Sequence, residues 1–190
     1  MTSYENKKFQ KEFFTEDCIA NCQFERCEFT ETHFWNTKFS DCVFKNCNLH
    51  LVKLEGSRLQ NVLFEDCKII GAEFHKCDKS FFSPQFKSCI LMGCNFSDVK
   101  IKQASFAKCK IKECFFNGSK LLECDFRESD LQGSVFHHAD LSKSDFREAV
   151  NYAINPLVNT VKKARFSMPE VQSMLKFFDI QIDSNFFYET

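Results

Sequence analysis

The sequence predicts an all-β solenoid, a rod made by stacking many short turns of extended chain. Three observations predict it: an apolar residue recurs every five positions, a small residue often precedes it by two, and one short irregular stretch interrupts the series. A helix repeats about every 3.6 residues and a strand about every two, so neither keeps a five-residue series on one face. A short fixed period is typical of solenoids instead.

The apolar series has two unbroken parts, and we call its members the centres of the repeats. The first part is Phe9, Phe14, Ile19, Phe24, Phe29, Phe34, Phe39, Phe44, Leu49, Leu54, Leu59, Phe64, Ile69 and Phe74. The second part is Phe86, Leu91, Phe96, Ile101, Phe106, Ile111, Phe116, Leu121, Phe126, Leu131, Phe136, Leu141 and Phe146. One turn cannot bury its own centres, but turns stacked at the strand spacing of about 4.8 Å share hydrogen bonds and shelter each other.

The position two before a centre is small or modestly polar in most repeats. Examples are Cys22, Cys27, Thr32, Thr37, Cys42, Cys47, Ala104, Cys109, Cys114, Ser119, Cys124, Ser129, Ser134, Ala139 and Ser144. With the centres, this pattern resembles the pentapeptide-repeat family and its motif A(D/N)LXX over nearly the whole chain. The resemblance implies a right-handed, quadrilateral parallel β-helix of about seven coils, in which each pentapeptide forms one side and points its centre and small residue inward.

The chain has 12 cysteines, and the repeat accounts for eleven of them, which lie two before a centre if Lys79 is counted as the centre after Cys77. Zinc sites need converging thiolates from closely spaced pairs, and disulfides need a particular dihedral that parallel side chains do not offer. We therefore expect buried, reduced thiols and no metal, cofactor or catalytic site. Cys18 is one place off the register and is predicted to be exposed.

The formal net charge is −1, from 25 Lys and Arg against 26 Asp and Glu. A nearly neutral chain has no general field that attracts nucleic acid or an acidic membrane, so we expect neither to be a direct partner. No apolar segment approaches the ~18 residues that a transmembrane helix needs, and no signal peptide is evident. The expected location is the cytoplasm.

The interruption lies at residues 75–85, because Phe86 follows Phe74 by twelve positions where two repeats would use ten. We predict a bulge or loop at Lys79 to Gln85. In one interpretation Phe81 or Phe82 replaces the missing core centre; in the other, the remaining Phe is exposed to a partner. Lys79, Phe81 and Phe82 are therefore candidate partner-binding residues.

Other candidates lie at outward positions of the repeat. Trp35 and Phe13 should share a face one coil apart and form a small aromatic patch. The lysine-rich zone comprises Lys100, Lys102, Lys108, Lys110, Lys112 and Lys120. The acidic candidates that follow are Asp125, Glu128, Asp130, Asp140, Asp145 and Glu148.

Residues 1–150 are thus predicted to form the β-helix, and residues 151–190 a cap with a tail. Ser167 and Glu170 have the spacing of a capping box, which predicts an α-helix at about 168–178. Its apolar face comprises Val171, Met174, Leu175 and Phe178. By resemblance, such a helix joins two rods end to end as a homodimer; the alternative is a cap on the helix's own rod.

The predicted function is macromolecule binding without catalysis. The chain resembles the quinolone-resistance pentapeptide proteins, and this implies a rod that imitates duplex DNA and binds or protects DNA gyrase or another type II topoisomerase. Near-neutral charge and the lysine-rich zone argue against this hypothesis. The alternative is a general protein–protein interaction scaffold.

Overall fold

The chain winds into a right-handed, quadrilateral parallel β-helix of about eight coils, which confirms the predicted fold class with one coil more than expected. The structure, a computed structural model, describes residues 2–14 and 17–181. Residues twenty apart pair in register, as Phe24 does with Phe44 and Phe44 with Phe64. At about 4.8 Å per coil the rod is roughly 38 Å long.

We name the four sides A to D in chain order. Side A carries the strands Thr2–Glu5, Cys22–Glu25, Val43–Lys45, Leu63–Glu65, Gln85–Lys87, Asp145–Phe146 and Arg165–Phe166. Side B carries Lys8–Gln10, Glu28–Thr30, Asn48–His50, Lys68–Ile70, Ile90–Met92 and Lys110–Lys112. Side D carries Cys18–Ala20, Lys38–Ser40, Arg58–Gln60, Lys100–Lys102 and Lys120–Leu122. The described residues of side C form isolated parallel bridges, such as Phe13 with His33, instead of strands.

Most corners between sides are turned by a residue with left-handed backbone, two places after the centre. Asn46 and Glu113 have φ of 52° and 54°, and all five glycines of the chain also have positive φ. A non-glycine residue pays about 1–2 kcal/mol for this conformation. The corner N–H then donates to a carbonyl of the following coil, as from Asn46 to Glu65 at 3.0 Å. Each corner therefore depends on the next coil for its hydrogen bond.

The interruption is absorbed by two short 3₁₀ turns, Phe74–Lys76 and Lys79–Phe81. Across it, Leu63 pairs with Gln85, an offset of 22 residues instead of 20. The regular register therefore resumes at Gln85 after two extra residues.

The end of the rod differs from the sequence prediction in two ways. Parallel pairing continues beyond residue 150, where Asp145 and Phe146 pair with Arg165 and Phe166. The terminal helix is a 3₁₀ helix, Glu170–Phe177, in place of the predicted α-helix at 168–178. Residues 182–190 of the predicted tail lie outside the described residues. Within residues 2–14 and 17–181, no helix has the length and apolar character that a membrane span requires.

Candidate functional site

The interior of the rod is filled by the centres. On side A an aromatic stack runs along the whole rod, with ring centroids of successive coils 4.7–5.3 Å apart. Its members are Tyr4, Phe24, Phe44, Phe64, Phe86, Phe106, Phe126, Phe146 and Phe166. Side chains accessible to another molecule therefore lie at the outward positions.

The cysteines are part of this core. All twelve are free thiols, and eleven are buried while Cys18 is exposed, as the register predicts. Cys27, Cys47, Cys67, Cys89 and Cys109 form one column on side B. The thiol of Cys47 donates to the carbonyl of Phe24 at 3.3 Å, and its backbone N–H donates to the sulfur of Cys67 at 3.4 Å. Burial raises the pKa of Cys124 to about 12 and also raises that of Cys77, so these thiols stay protonated at neutral pH.

At the interruption, one of the two adjacent phenylalanines is buried and the other is exposed. Phe82 is buried and bridges to Leu59, so it occupies the vacant core position. Phe81 is 41% exposed and lies under the guanidinium of Arg58, 4.5 Å from the ring centroid. Asp78 accepts a hydrogen bond from Arg58 at 3.0 Å, which holds the guanidinium in place.

A surface depression of about 600 Å³ adjoins this turn at the corner of sides C and D. Asn36, Lys38, Gly56, Arg58, Lys76, Cys77 and Asp78 line it. Lys79, another candidate, lies in the adjoining 3₁₀ turn. The interruption thus produces a polar concavity with an exposed aromatic ring nearby.

Trp35 and Phe13 lie together on side C, with ring centroids 5.9 Å apart. His33 lies between them, stacked on Phe13 at 4.5 Å and edge-on to Trp35 at 4.8 Å. The indole N–H of Trp35 donates to Glu55 at 3.1 Å. Phe13 and Trp35 remain 64% and 40% exposed. We call Phe13, His33 and Trp35 the aromatic patch.

The six acidic candidates do not form one surface. Asp125, Glu128, Asp145 and Glu148 lie on side A, Asp130 lies on side B and Asp140 on side D. The acidic series is divided among three sides, with four of the six acids on side A, because successive repeats occupy successive sides.

Most of these acids also have local partners. Arg127 donates to Asp125, and this hydrogen bond lowers the pKa of the carboxyl. Arg147 does the same for Asp145. Further pairs join Glu128 to Lys108 at 3.5 Å and Asp130 to Lys112 at 4.0 Å, while Asp140 accepts hydrogen bonds from Ser142. The predicted acidic surface is therefore divided and largely neutralised.

The terminal helix has no capping box, contrary to the prediction. Ser167 instead accepts a hydrogen bond from the backbone N–H of Glu148 at 2.8 Å, and Glu170 accepts one from Asn151 at 2.6 Å. Both donors are left-handed corner residues, and each acceptor lies 19 residues later, where a backbone carbonyl accepts in earlier coils. The two side chains therefore complete the last coil and not the helix.

The apolar face of the helix is divided. Met174 is buried and Val171 is half-buried against the core, so both pack on the helix's own rod. Leu175 and Phe178 are 39% and 43% exposed. Only the second pair remains accessible to another molecule.

Sequence reasoning did not single out His33 and Arg58 as surface residues of interest. His33 lies one coil after Phe13, so the twenty-residue period could have located it. Arg58 lies 23 residues before Phe81, and the interruption conceals this relationship.

Comparison with known proteins gives one consistent result. A family model described as "Pentapeptide repeat region" matches residues 18–80 and 79–150. No curated protein sequence matches the chain.

Two solved structures with different sources resemble the fold. A trypsin-treated variant of QnrB1, a plasmid-mediated fluoroquinolone resistance protein, is similar with a TM-score of 0.65 at 16% identity, covering 96% of this chain and 98% of that chain. HetL, a pentapeptide repeat protein involved in heterocyst differentiation regulation in the cyanobacterium Nostoc sp., gives a TM-score of 0.53 at 12% identity, covering 86% and 84%. At these identities the likeness concerns the fold alone. On the family match and the five-residue repeat, this chain belongs to the pentapeptide repeat family.

Proposed function

We propose that this protein is a non-enzymatic rod that binds another protein through its outer surface, and that the aromatic patch is a principal contact. The observation that carries the proposal is an exposed, ordered aromatic cluster on a rigid support. Trp is, with Tyr and Arg, among the residues most enriched where alanine substitution weakens protein complexes. Trp35 is the only tryptophan of the chain, and it lies on the surface.

The side chains of the aromatic patch are also preorganised for binding. Stacking on His33 and the hydrogen bond to Glu55 restrict the rings of Phe13 and Trp35. Immobilising a flexible side chain costs about 0.5–1.5 kcal/mol on binding, and much of that cost is already met here. A partner would therefore gain apolar contact at low entropic cost.

Site-specific photo-crosslinking tests the proposal whatever the identity of the partner. Benzoylphenylalanine is placed at Trp35 and, as a matched control, at Phe115, which is 42% exposed on the same side and holds the same repeat position as Phe13. We expect a discrete crosslinked protein from position 35 and none from position 115. The same product from both positions, or none from either, would contradict the proposal.

A second candidate function is binding or protection of DNA gyrase or another type II topoisomerase. Support comes from the similarity of fold to a fluoroquinolone resistance protein over nearly the full length of both chains. Duplex DNA carries about one charge per 1.7 Å of axis, whereas the acids here are divided among sides and paired. DNA mimicry by this rod would therefore rest on its shape more than on its charge.

A supercoiling assay with and without a fluoroquinolone tests this candidate. We expect micromolar protein to inhibit gyrase or to relieve drug inhibition, and Trp35→Ala to weaken the effect more than Phe115→Ala. Unchanged supercoiling under both conditions would remove gyrase as the partner and leave the scaffold function. A topoisomerase partner also implies a cytoplasmic location, which cell fractionation would test.

We also propose that two rods form a homodimer through the terminal helix. Leu175 and Phe178 support this because they are exposed, while Val171 and Met174 hold the helix to its own rod. Leu175→Asp is expected to give a monomer by light scattering, since a dimer would bury the unpaired charge. Met92→Asp, at an exposed site in the middle of the rod, is the control. A wild-type monomer, or an unchanged mass for Leu175→Asp, would contradict the dimer.

A further inference from the structure

Side D carries a row of cationic side chains that the linear sequence does not reveal. The outward position just before the centre is occupied in successive coils by Lys38, Arg58, Phe81, Lys100 and Lys120, which we call the basic strip. Lys38 pairs in register with Arg58, and Lys100 with Lys120. At the strand spacing, the strip from Lys38 to Lys120 is roughly 19 Å long.

The charge of this strip is poorly neutralised. Within the described residues, Lys38, Lys100, Lys102 and Lys120 make no ion pair, in contrast to Lys108 and Lys112 on other sides. From residue 37 to residue 124, side D has six cationic and three acidic outward side chains, a local charge of +3 on a chain whose total is −1. Two of the three acids already have partners, because Asp78 pairs with Arg58 and Glu123 with Lys143.

The strip also offers apolar contact between its charges. A shallow depression of about 230 Å³ lies between Lys100, Lys102 and Lys120, with Ile101 and Leu122 in its lining. Phe81, in the middle of the strip, is 41% exposed and held under Arg58. An anionic ligand with apolar side chains would satisfy both kinds of contact.

We infer that the basic strip binds an acidic segment of a protein that also carries an apolar side chain. This rests on the proposed protein-binding function and adds a second surface with a defined partner chemistry. Carboxylates would lie over the unpaired lysines, and the apolar side chain would contact Phe81 or the depression. Nucleic acid is less suited to the strip, because affinity for it comes mainly from cations that neutralise phosphates and this chain has no net positive charge.

Fluorescence anisotropy with short labelled peptides tests the inference on the full chain. The probe alternates glutamate and alanine around a central leucine, and a matched peptide has glutamine in place of glutamate. The glutamate peptide is expected to bind and to weaken with added salt, and the glutamine peptide is expected not to bind. Absence of binding by the glutamate peptide would overturn the inference.

Two double variants locate the site. Lys100→Glu with Lys120→Glu is expected to weaken binding by about tenfold or more, as for paired charges at an interface. Lys68→Glu with Lys110→Glu makes the same charge change at the same repeat position on the opposite side, and an effect under about twofold is expected. Equal weakening by both pairs would overturn the assignment to side D.

A third arm and a stability control complete the experiment. Tighter binding of a short DNA duplex than of the glutamate peptide would overturn the choice of a protein partner. Thermal unfolding of both double variants checks that each remains folded. If either double variant is unstable, Phe81→Ala, which changes no charge, replaces it and should weaken binding of the glutamate peptide. The crosslinking at Trp35 uses a different surface, so its failure would affect the aromatic patch without affecting the basic strip.

Discussion

The first coils of the rod and its last coils have the same five-residue period but build their sides differently. Before Phe74, sides A, B and D are mostly three-residue strands; after Leu122, isolated bridges and two-residue strands take their place. The later coils also separate their core by side, with Phe on sides A and C and Ile or Leu on sides B and D. One repeat can therefore be realised with different amounts of regular strand.

The small inward residues account for part of this difference. In the earlier coils a thiol such as that of Cys47 donates to a carbonyl of the preceding coil. In the later coils the hydroxyls of Ser119 and Ser129 donate instead to the carbonyl of the centre three residues before, at 2.7 Å and 2.6 Å. The backbone N–H of each serine donates to the same carbonyl, which closes the corner as a hydrogen-bonded turn. At these two positions the serine hydroxyl therefore helps to close a corner, whereas Ser134 and Ser144 donate to the preceding coil as the thiols do.

Truncating one ring of the aromatic stack in each region should give the largest effect and show whether the regions share one core. Phe44→Ala and Phe106→Ala each leave a cavity between two stacked rings. We expect each to lower the free energy of unfolding by about 3–5 kcal/mol in urea titrations. Two separate transitions would show that the regions unfold independently, and a loss under about 1 kcal/mol would contradict a close-packed core.

Removing a turn-closing hydroxyl should have a smaller effect. Ser129→Ala leaves the Phe126 carbonyl without its side-chain donor, and we expect a loss of about 1 kcal/mol of unfolding free energy. Ser97→Ala, at an outward position where the hydroxyl makes no hydrogen bond within the described residues, is the control and should stay within about 0.5 kcal/mol of wild type. Equal effects of the two substitutions would mean that the hydroxyl does not help to close the corner.

Substitutions at the end of the rod should lower stability by a similar or smaller amount. Ser167→Ala with Glu170→Ala removes the acceptors for the N–H groups of Glu148 and Asn151. Hydrogen exchange at these two amides should accelerate, with a stability loss of about 1 kcal/mol, since both groups lie near solvent. The Glu113 amide, which donates to the carbonyl of Gln132 in the next coil, is the internal reference. Exchange that changes equally at all three amides would show general loosening of the rod.

The smallest perturbation is chemical labelling of the native protein. Cys18 is the exposed thiol among twelve, so one equivalent of an alkylating reagent should react quickly and all twelve should react in denaturant. Cys18→Ser should abolish the fast reaction and leave stability unchanged. A second fast thiol in either region would show that the buried columns open to solvent.

The sequence predicts the inward half of this molecule well, because the position of a residue within its pentapeptide determines whether it is buried. Phe106 and Cys47 could be assigned to the core, and Cys18 to the surface, from spacing alone. The outward half depends on which residues meet across coils. The acids from Asp125 to Glu148 are close in sequence but are divided among three sides. Arg58 and Phe81 meet only because the interruption adds residues between them.

The cap was harder to predict for a related reason. Ser167 and Glu170 match a capping box, but the unpaired corner amides of the last coil compete for the same oxygens and obtain them. That competition depends on where the final coil ends. The unbroken series stops at Phe146, although Val161 and Phe166 continue its five-residue phase.

The central claim is that the repeat supplies a scaffold and the outward side chains supply recognition. Two adjacent residues test it most directly, because Phe34 is 2% exposed and Trp35 is 40% exposed. In urea titrations we predict that Phe34→Ala lowers the free energy of unfolding by about 3–5 kcal/mol, while Trp35→Ala stays within about 0.5 kcal/mol of wild type. A loss for Trp35→Ala as large as that for Phe34→Ala would make the tryptophan part of the scaffold and contradict the account.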